Sequence, residues 1–250
     1  MATGGHSTVT RARRRPPTVR LCLLGGFDLA IDHLAVELPH SAQRLLALLA
    51  LRPYALQRAF LAGNLWLDTS DRRAAGNLRS AVWRIRQLGY PVVVVGHGTL
   101  RLAPHVTVDI RLSREAAYRW LAGQPTPRDI SVASSPLRAD LLPDWYDEWV
   151  VDERDEFRQL RLHALEEMTH RLITMSRFGE ALVAALESAH EDPLRESAQR
   201  ALIDVYLAEG NMGEAVRQLR LCEQLFEREL GLRPSRQLAD RVRQAVLTAQ

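Results

Sequence analysis

The sequence predicts a mixed fold in which an N-terminal α+β domain is followed by an all-α domain. Before residue 110, short alternating strands, three helices and a Gly-bearing hairpin follow one another. Nearly every later segment has helical periodicity, and two of these segments share a motif 34 residues apart. The length of 250 residues allows one or two domains with a substantial core.

The first 38 residues divide into an arm and a set of strands. Residues 1–18 are rich in Arg, Pro, Gly and Thr without periodicity, which predicts a disordered arm. Residues 19–38 alternate between apolar runs and turn residues, which predicts short antiparallel strands. Ser41 is the expected N-cap of the leucine-rich helix that follows, which should end near Pro53.

Two further helices and a hairpin complete the first domain. We expect a short helix at about 57–66, and the turn Leu67-Asp68-Thr69-Ser70 should open a strong helix over 71–88. VVVV, the turn Gly96-His97-Gly98 and TLRL predict a hairpin, and VTVDI at 106–110 a further strand. This order predicts a winged helix-turn-helix domain over 19–110, with 71–88 as its recognition helix.

The remaining residues, 111–250, predict a helical domain of the tetratricopeptide type. Phe178-Gly179-Glu180-Ala181-Leu182 and Met212-Gly213-Glu214-Ala215-Val216 match at the 34-residue tetratricopeptide period. Because two repeats are fewer than a stable stack needs, helices near 113–122, 150–175 and 236–248 should cover its ends. Gly231 and Pro234 should end the penultimate helix, with Ser235 capping the last.

The charge is uneven along the chain. All 33 basic residues are arginine, which removes every mechanism that needs a lysine, including Walker A phosphate binding and Schiff-base chemistry. The first 110 residues carry 14 Arg against 6 acidic residues, and the rest carry 19 against 24. A basic domain joined to an acidic one favours a polyanion partner for the first and a protein partner for the second, although solvated charge alone could produce the imbalance.

Several features point to an intracellular protein. Cys22 and Cys222 form neither a CxxC motif nor a metal-binding spacing, which favours a reducing compartment. The basic start is followed by no apolar stretch, so a secretory signal is not expected. The apolar runs fall far short of the roughly 18 residues that a membrane span needs. A cytoplasmic location is therefore predicted.

A helical wheel divides the helix over 71–88 into two faces. Ala75, Leu78, Val82 and Ile85 form the stripe that should pack on the core. The opposite face and its flanks contain the candidate DNA contacts, which are Arg72, Arg73, Asn77, Arg79, Ser80, Trp83, Arg84 and Arg86. After Asp71 this helix carries no acidic residue, whereas isolated surface helices usually alternate charge sign.

Each of these side chains has a possible DNA contact. Arginine can bind guanine O6 and N7 in the major groove, and Asn77 can pair with adenine. Trp83 either contacts a thymine methyl or sugar, or packs against the hairpin or a neighbouring subunit. Arg101 on the hairpin either reaches the minor groove or is a solvated edge residue.

Enzyme functions find little support in the sequence. His163, Glu167 and His170 share one helical face, but the sequence offers no further ligand and no supporting groups. No GxSxG, HExxH or phosphate-binding glycine loop occurs. The acidic cluster at 144–156 alternates with aromatic residues, which predicts a helix with a buried aromatic side and a solvent-exposed acidic side. No catalytic residue, metal or cofactor is expected.

Several motifs resemble one family of transcriptional regulators. LLGGFDL, SAQRLLALLAL, LAGNLWLDTSDRRAAGNLRSAVWRIR and GTLRLAP resemble the winged helix of SARP regulators, the Streptomyces antibiotic regulatory protein type. DLLPDWYDEWVVDERDEFRQLRLHALE, DPLRESAQRALIDVYLAEGNMGEAV and ERELGLRPS resemble the bacterial transcriptional activator domain that follows it. The motifs occur in family order from about Val19 onward, and the absence of lysine agrees with a high-GC actinobacterial gene.

The resemblance implies an OmpR-like winged helix on promoter DNA, tandem binding at direct repeats, and recruitment of RNA polymerase. We expect the chain to act as a homodimer or as a tandem pair on DNA. It places a polymerase-facing loop at Leu67, Asp68, Thr69 and Ser70, although Leu67 stands where Pro or Gly is expected. Gly76 inside the recognition helix is a second departure. The nucleotide-binding module of larger relatives is not expected, and neither is regulation by ATP. A protein-binding adaptor, whose winged helix docks protein instead of DNA, is the alternative.

Overall fold

The computed structural model describes residues 18–127, 129, 137 and 139–248. Within these residues the chain divides into two compact units. The first contains residues 18–21 and 28–107, and the second contains residues 22–27 and those from 108 onward. The predicted arm, apart from Thr18, lies outside the described residues.

The first unit contains two small sheets and three helices. Its strands are β1 (Val19–Cys22), β2 (Asp28–Ile31), β3 (Leu34–Ala35), β4 (Leu56–Gln57), β5 (Val93–Val95), β6 (Thr99–Leu102) and β7 (Val106–Val108), and its helices are α1 (His40–Leu51), α2 (Arg58–Leu65) and α3 (Asp71–Arg86). The sheets have the orders β3-β2-β1-β7 and β4-β6-β5. The succession of strands, three helices and a hairpin confirms the predicted α+β fold.

The first helix forms because its sequence is almost wholly apolar. Leu45, Leu46, Leu48 and Leu49 are buried, and burying such side chains contributes about 1.5–3 kcal/mol each. The predicted N-cap at Ser41 is wrong by two positions. Pro39 occupies the N-cap, because its φ of −58° and ψ of 145° hold the chain extended immediately before His40.

The hairpin is built on the predicted glycine turn. β5 and β6 are antiparallel, with Val94 opposite Arg101. Gly98 has a φ of +77°, which side chains rarely adopt, and the amide of Gly96 donates to the carbonyl of Thr99 at 2.9 Å. On its other edge β6 pairs with β4, so that it is the central strand of its sheet.

The second unit is helical in the described residues after β7. Its helices are α4 (Asp109–Leu121), α5 (Glu148–Thr174), α6 (Phe178–Glu191), α7 (Glu196–Ala208), α8 (Met212–Leu230) and α9 (Arg236–Thr248). Each copy of the repeated motif begins a helix, at Phe178 and at Met212. The small residues Ala181 and Ala215 are fully buried at equivalent positions, which lets neighbouring helices approach closely. This confirms the predicted helical domain.

The end of α8 and the start of α9 lie where the sequence predicts them. Gly231 caps α8 in the left-handed conformation, with a φ of 64°. Ser235 precedes α9 as predicted, but its hydroxyl donates to Glu196 of α7, whose carboxylate also accepts the Ser235 amide at 2.8 Å. The Ser235 carbonyl accepts the amide of Leu238 at 3.2 Å, which is the backbone pattern of an N-cap. Donating its hydrogen to Glu196 leaves the Ser235 oxygen able to accept, so a side-chain cap at Ser235 stays a prediction.

A carboxylate joins residues 22–27 to the helical unit. Asp109 accepts the backbone amides of Leu23 and Leu24 at 2.9–3.0 Å, and also that of Ile110 at 2.7 Å. The predicted strand at 106–110 therefore ends at Val108, because Asp109 begins α4. Burial raises the pKa of the Asp109 carboxyl, although hydrogen bonds from backbone amides oppose that shift.

A chain segment next to α5 corrects the prediction for the acidic and aromatic cluster. Trp145 precedes the helix and stacks on Phe27, with ring centroids 6.0 Å apart, whereas Tyr146 is 84% exposed. The helix begins only at Glu148. Arg154 holds the preceding turn by donating to the carbonyls of Leu141, Leu142 and Trp145, so the segment 144–147 cannot continue the helix.

Candidate nucleic-acid interface

The candidate interface is built on α3, whose buried side faces the first unit's core. Ala74, Leu78, Ala81, Val82 and Ile85 are buried on this side. Ala75, which the wheel placed in the stripe, is only half-buried, because the stripe is centred one position away. Ser70 occupies the N-cap with an extended backbone but makes no side-chain cap bond. The helix is therefore fixed mainly by packing.

The outward side of α3 is a cationic surface. Arg72, Arg73, Arg79, Arg84 and Arg86 are all exposed. Among the described residues, none of their guanidinium groups has a carboxylate partner. Two of the five, near the C-terminus, also gain from the helix dipole, whereas the pair in the first turn is opposed by it. An anion at the N-terminus of α3 would remove that conflict.

The polar and aromatic candidates on α3 differ in their availability. Trp83 is 53% exposed, and the guanidinium of Arg84 lies 5.1 Å from its ring centroid. Ser80 is exposed and donates to the carbonyl of Gly76 at 3.2 Å, which leaves its oxygen free to accept. Asn77 is half-buried on the flank of the helix. An apolar ring and two polar groups therefore stand among the arginines.

Arg101 projects from the middle of the hairpin sheet. It is exposed, whereas its neighbours Leu100 and Leu102 on β6 are buried. Because β6 is a central strand, the alternative interpretation of Arg101 as a charge protecting a sheet edge does not apply. Its guanidinium has no ion-pair partner in the described part of the chain.

The loop before α3 is short and internally bonded. Thr69 donates both its amide, at 3.2 Å, and its hydroxyl, at 3.1 Å, to the carbonyl of Trp66. Leu67 at its start is 69% exposed, and Asp68 and Ser70 are exposed as well. The loop thus presents an apolar side chain beside a carboxylate from a backbone that is held in one conformation.

Sequence reasoning missed Arg58, the first residue of α2. Arg58, Asp71 and Arg79 all line a cleft of about 430 Å³ between α2 and α3, whose other lining residues are apolar. Arg58 is half-buried and has no ion-pair partner among the residues described. The signal was available in the sequence, since an arginine at the predicted start of a helix opposes the helix dipole.

The candidate metal ligands do not assemble into a site. No group of three or more His, Cys, Asp and Glu side chains suited to a metal occurs among the described residues. Glu167 pairs with Arg171 at 2.6 Å, and both ring nitrogens of His163 lie within 3.2 Å of Arg195 Nη2. In the part of the chain that is described, no helix is both long and apolar enough to cross a membrane.

Comparison with known proteins identifies the family. The sequence model of the family named bacterial transcriptional activator domain matches residues 112–247, which is more than half of the chain. No curated protein matches. A solved structure of Mycobacterium tuberculosis EmbR, in complex with a low affinity phosphopeptide, matches with a TM-score of 0.75 at 21% identity. That match covers 94% of this chain but only 66% of EmbR, and at this identity it shows the fold alone.

The fold and the family match lead to the same assignment. The first unit has the predicted strand, helix and hairpin order, and the second is the helical domain that the family model describes. The matching family is one of transcriptional activators. The chain therefore belongs to the bacterial transcriptional activator domain family.

Proposed function

We propose that this chain binds promoter DNA sequence-specifically and activates transcription, probing the major groove with α3 and the minor groove with the hairpin. It acts at direct repeats, recruits RNA polymerase and controls a local gene cluster, such as one for secondary metabolism. Family membership supports the regulatory role. The DNA contacts are proposed from the chemistry of α3.

One observation carries the proposal: five exposed arginines on one helix have no carboxylate partner among the described residues. Like charges on one helix repel each other, and this cost is removed when phosphates neutralise them. Arg72 and Arg73 lie at the helix N-terminus, where a phosphate is most favourable. They are therefore proposed as backbone contacts.

Base reading is assigned to the middle and second half of α3. Arg79 is proposed to bind guanine through O6 and N7, and Asn77 to pair with adenine. Trp83 supplies the apolar surface that a thymine methyl or a sugar requires. Ser80, Arg84 and Arg86 extend this surface, and Arg101 is proposed to enter the neighbouring minor groove.

Activation is proposed to depend on protein contacts. The loop from Leu67 to Ser70 carries an exposed leucine beside Asp68, and Thr69 hydrogen-bonds it to the Trp66 carbonyl. Such a constrained, exposed loop suits contact with the polymerase holoenzyme. Two copies bound in tandem would stand about 34–36 Å apart, one turn of DNA. The acidic helical unit supplies the remaining protein contacts.

Footprinting on the upstream regions of the chain's own gene and of adjacent operons would identify a site. Fluorescence anisotropy on that duplex and on a random duplex, across a salt series, then tests the roles. Arg79→Ala is expected to cost about 1–3 kcal/mol on the cognate duplex and to relax preference at one base pair. Arg72→Ala should weaken both duplexes alike and reduce the salt slope by about one.

Arg220→Ala is the matched control, because Arg220 is an exposed arginine on a helix of the other unit. It should leave both affinities unchanged. Equal losses on cognate and random duplexes would reduce Arg79 to a phosphate contact. If the purified chain showed no salt-dependent affinity for any duplex, the adaptor function would replace DNA binding.

A further inference from the structure

The helical unit contains a polar cavity that DNA binding does not use. It measures about 230 Å³ and lies between α5 and α7. Glu166, Thr169, His170 and Ile173 line it from α5, and Ser197, Arg200, Ala201 and Asp204 from α7. Both sets have the spacing i, i+3, i+4, i+7, so each is a single helical face about 10 Å long. The cavity is therefore a short trough between two facing helices.

Both ends of the trough are closed by internal ion pairs. At one end, Glu166 accepts from Arg195 Nε at 2.6 Å and from the Ser197 hydroxyl at 2.8 Å. At the other end, Asp204 pairs with Arg241 Nε of α9 at 2.5 Å. Each carboxylate is thus neutralised by an arginine from outside the trough.

The middle of the trough is different. Arg200 is half-buried and, within the described residues, donates to no acceptor and forms no ion pair. Asp204, one turn along α7, attracts Arg200 through space, but its ion pair is with Arg241. Across the trough, the exposed imidazole of His170 is also without a hydrogen-bond partner among the described residues. The trough therefore has carboxylates paired with arginines at its ends, and at its centre a guanidinium without a hydrogen bond or ion pair among the described residues.

We propose that this trough binds the carboxylate side chain of an acidic peptide segment of a partner protein, with Arg200 as the principal contact. A half-buried guanidinium gains most from a carboxylate, which it can bind through two parallel hydrogen bonds. Ile173 and Ala201, which also line the trough, offer apolar contact to the methylene groups of a glutamate. The trough is open along its length, as the exposure of His170 shows, so it suits a side chain that arrives on a peptide.

This inference concerns the helical unit and does not depend on DNA binding. The test uses the full chain with methyl-labelled Ala and Ile, and it follows the Ala201 and Ile173 methyl signals, which report from inside the trough. The probes are the capped tripeptide Ala-Glu-Ala, its Ala-Gln-Ala analogue, sodium acetate and inorganic phosphate. We expect the glutamate peptide to shift both signals and to bind at least fivefold more tightly than each of the other three.

Arg200→Gln should weaken binding of the glutamate peptide at least tenfold, whereas Arg220→Gln on α8 should not change it. Ala201→Leu fills the trough but keeps Arg200, and it should also abolish binding. This variant replaces Arg200→Gln in the test if Arg200→Gln unfolds at a lower temperature than the wild-type chain. Equal binding of the glutamine peptide, or full binding by both trough variants, would overturn the carboxylate assignment. If acetate bound as tightly as the glutamate peptide, the proposed peptide partner would be wrong. If inorganic phosphate bound more tightly than the peptide, the trough would be a site for a phosphoryl group and not for a carboxylate.

Discussion

Removing the Asp109 carboxylate should loosen residues 22–27. It accepts the amides of Leu23 and Leu24, and the side chain of Leu23 is fully buried. A buried amide left without an acceptor costs about 1–3 kcal/mol, and more when the lost acceptor was charged. The cost of burying the carboxyl, which also raises its pKa, offsets part of the stabilisation that these two hydrogen bonds provide. We therefore expect Asp109→Ala to destabilise this segment by about 2 kcal/mol.

Hydrogen exchange measures this loss where it occurs. A local loss of about 2 kcal/mol should speed exchange of the Leu23 and Leu24 amides about 30-fold, with smaller changes in α8. Asp109→Asn keeps one acceptor oxygen and should give an intermediate rate. Asp68→Ala removes an exposed aspartate and is the matched control. If the Leu23 and Leu24 amides exchanged at the wild-type rate in Asp109→Ala, the carboxylate would not hold this segment.

Three further outcomes follow from individual side chains. Gly76→Ala should stabilise the chain by about 0.5–1 kcal/mol in urea melts, because the added Cβ meets only Arg79 Nη2 at 3.7 Å; a lower midpoint would contradict this. Hydrogen bonding to the Arg119 guanidinium lowers the pKa of Asp129 to about 2, so its stabilisation is complete above pH 4 and lost as the pH falls towards 2. Because the Arg119 side chain is 36% exposed, we expect Asp129→Asn to cost only about 1–2 kcal/mol at pH 6 and a small part of that at pH 2, and parallel pH curves would refute the pairing. Burial raises the pKa of the Cys222 thiol to about 11, so a Cys22→Ser chain should react with a thiol reagent at pH 8 only after unfolding.

Local sequence patterns predicted the elements whose stability is local. The repeated motif marked the first residues of α6 and α8 because small side chains at a fixed period reflect the packing of each helix on its neighbour. The apolar stripe of α3 was likewise recovered to within one position. The end of the strand at Val108 could not be predicted. It depends on the next residue, Asp109, whose carboxylate accepts amides 85 and 86 residues away in sequence. The prediction that Trp145 belongs to a helix was wrong for the same reason, since its stacking partner, Phe27, is distant in sequence.

The candidate interface was predictable for a related reason. Exposure on a helix follows from its periodicity, so the outward arginines of α3 could be found without a structure. Arg58 could not be joined to them, because its proximity to Arg79 requires the angle between two helices. The trough in the second unit was equally hidden. Its lining comes from α5 and α7, which are separated along the chain by the whole of α6.

The use of arginine separates the two units more clearly than composition does. In the helical unit, arginines such as Arg114 and Arg119 hold acidic partners at 2.7 Å, and Arg161 pairs with Glu191 although almost fully buried. On α3 the same residue type meets no carboxylate among the residues that the structure describes. Since the chain has no lysine, residue choice cannot distinguish a structural cation from an interfacial one. The distribution of carboxylates makes that distinction, because a cation that is left unpaired keeps its full charge for an external anion.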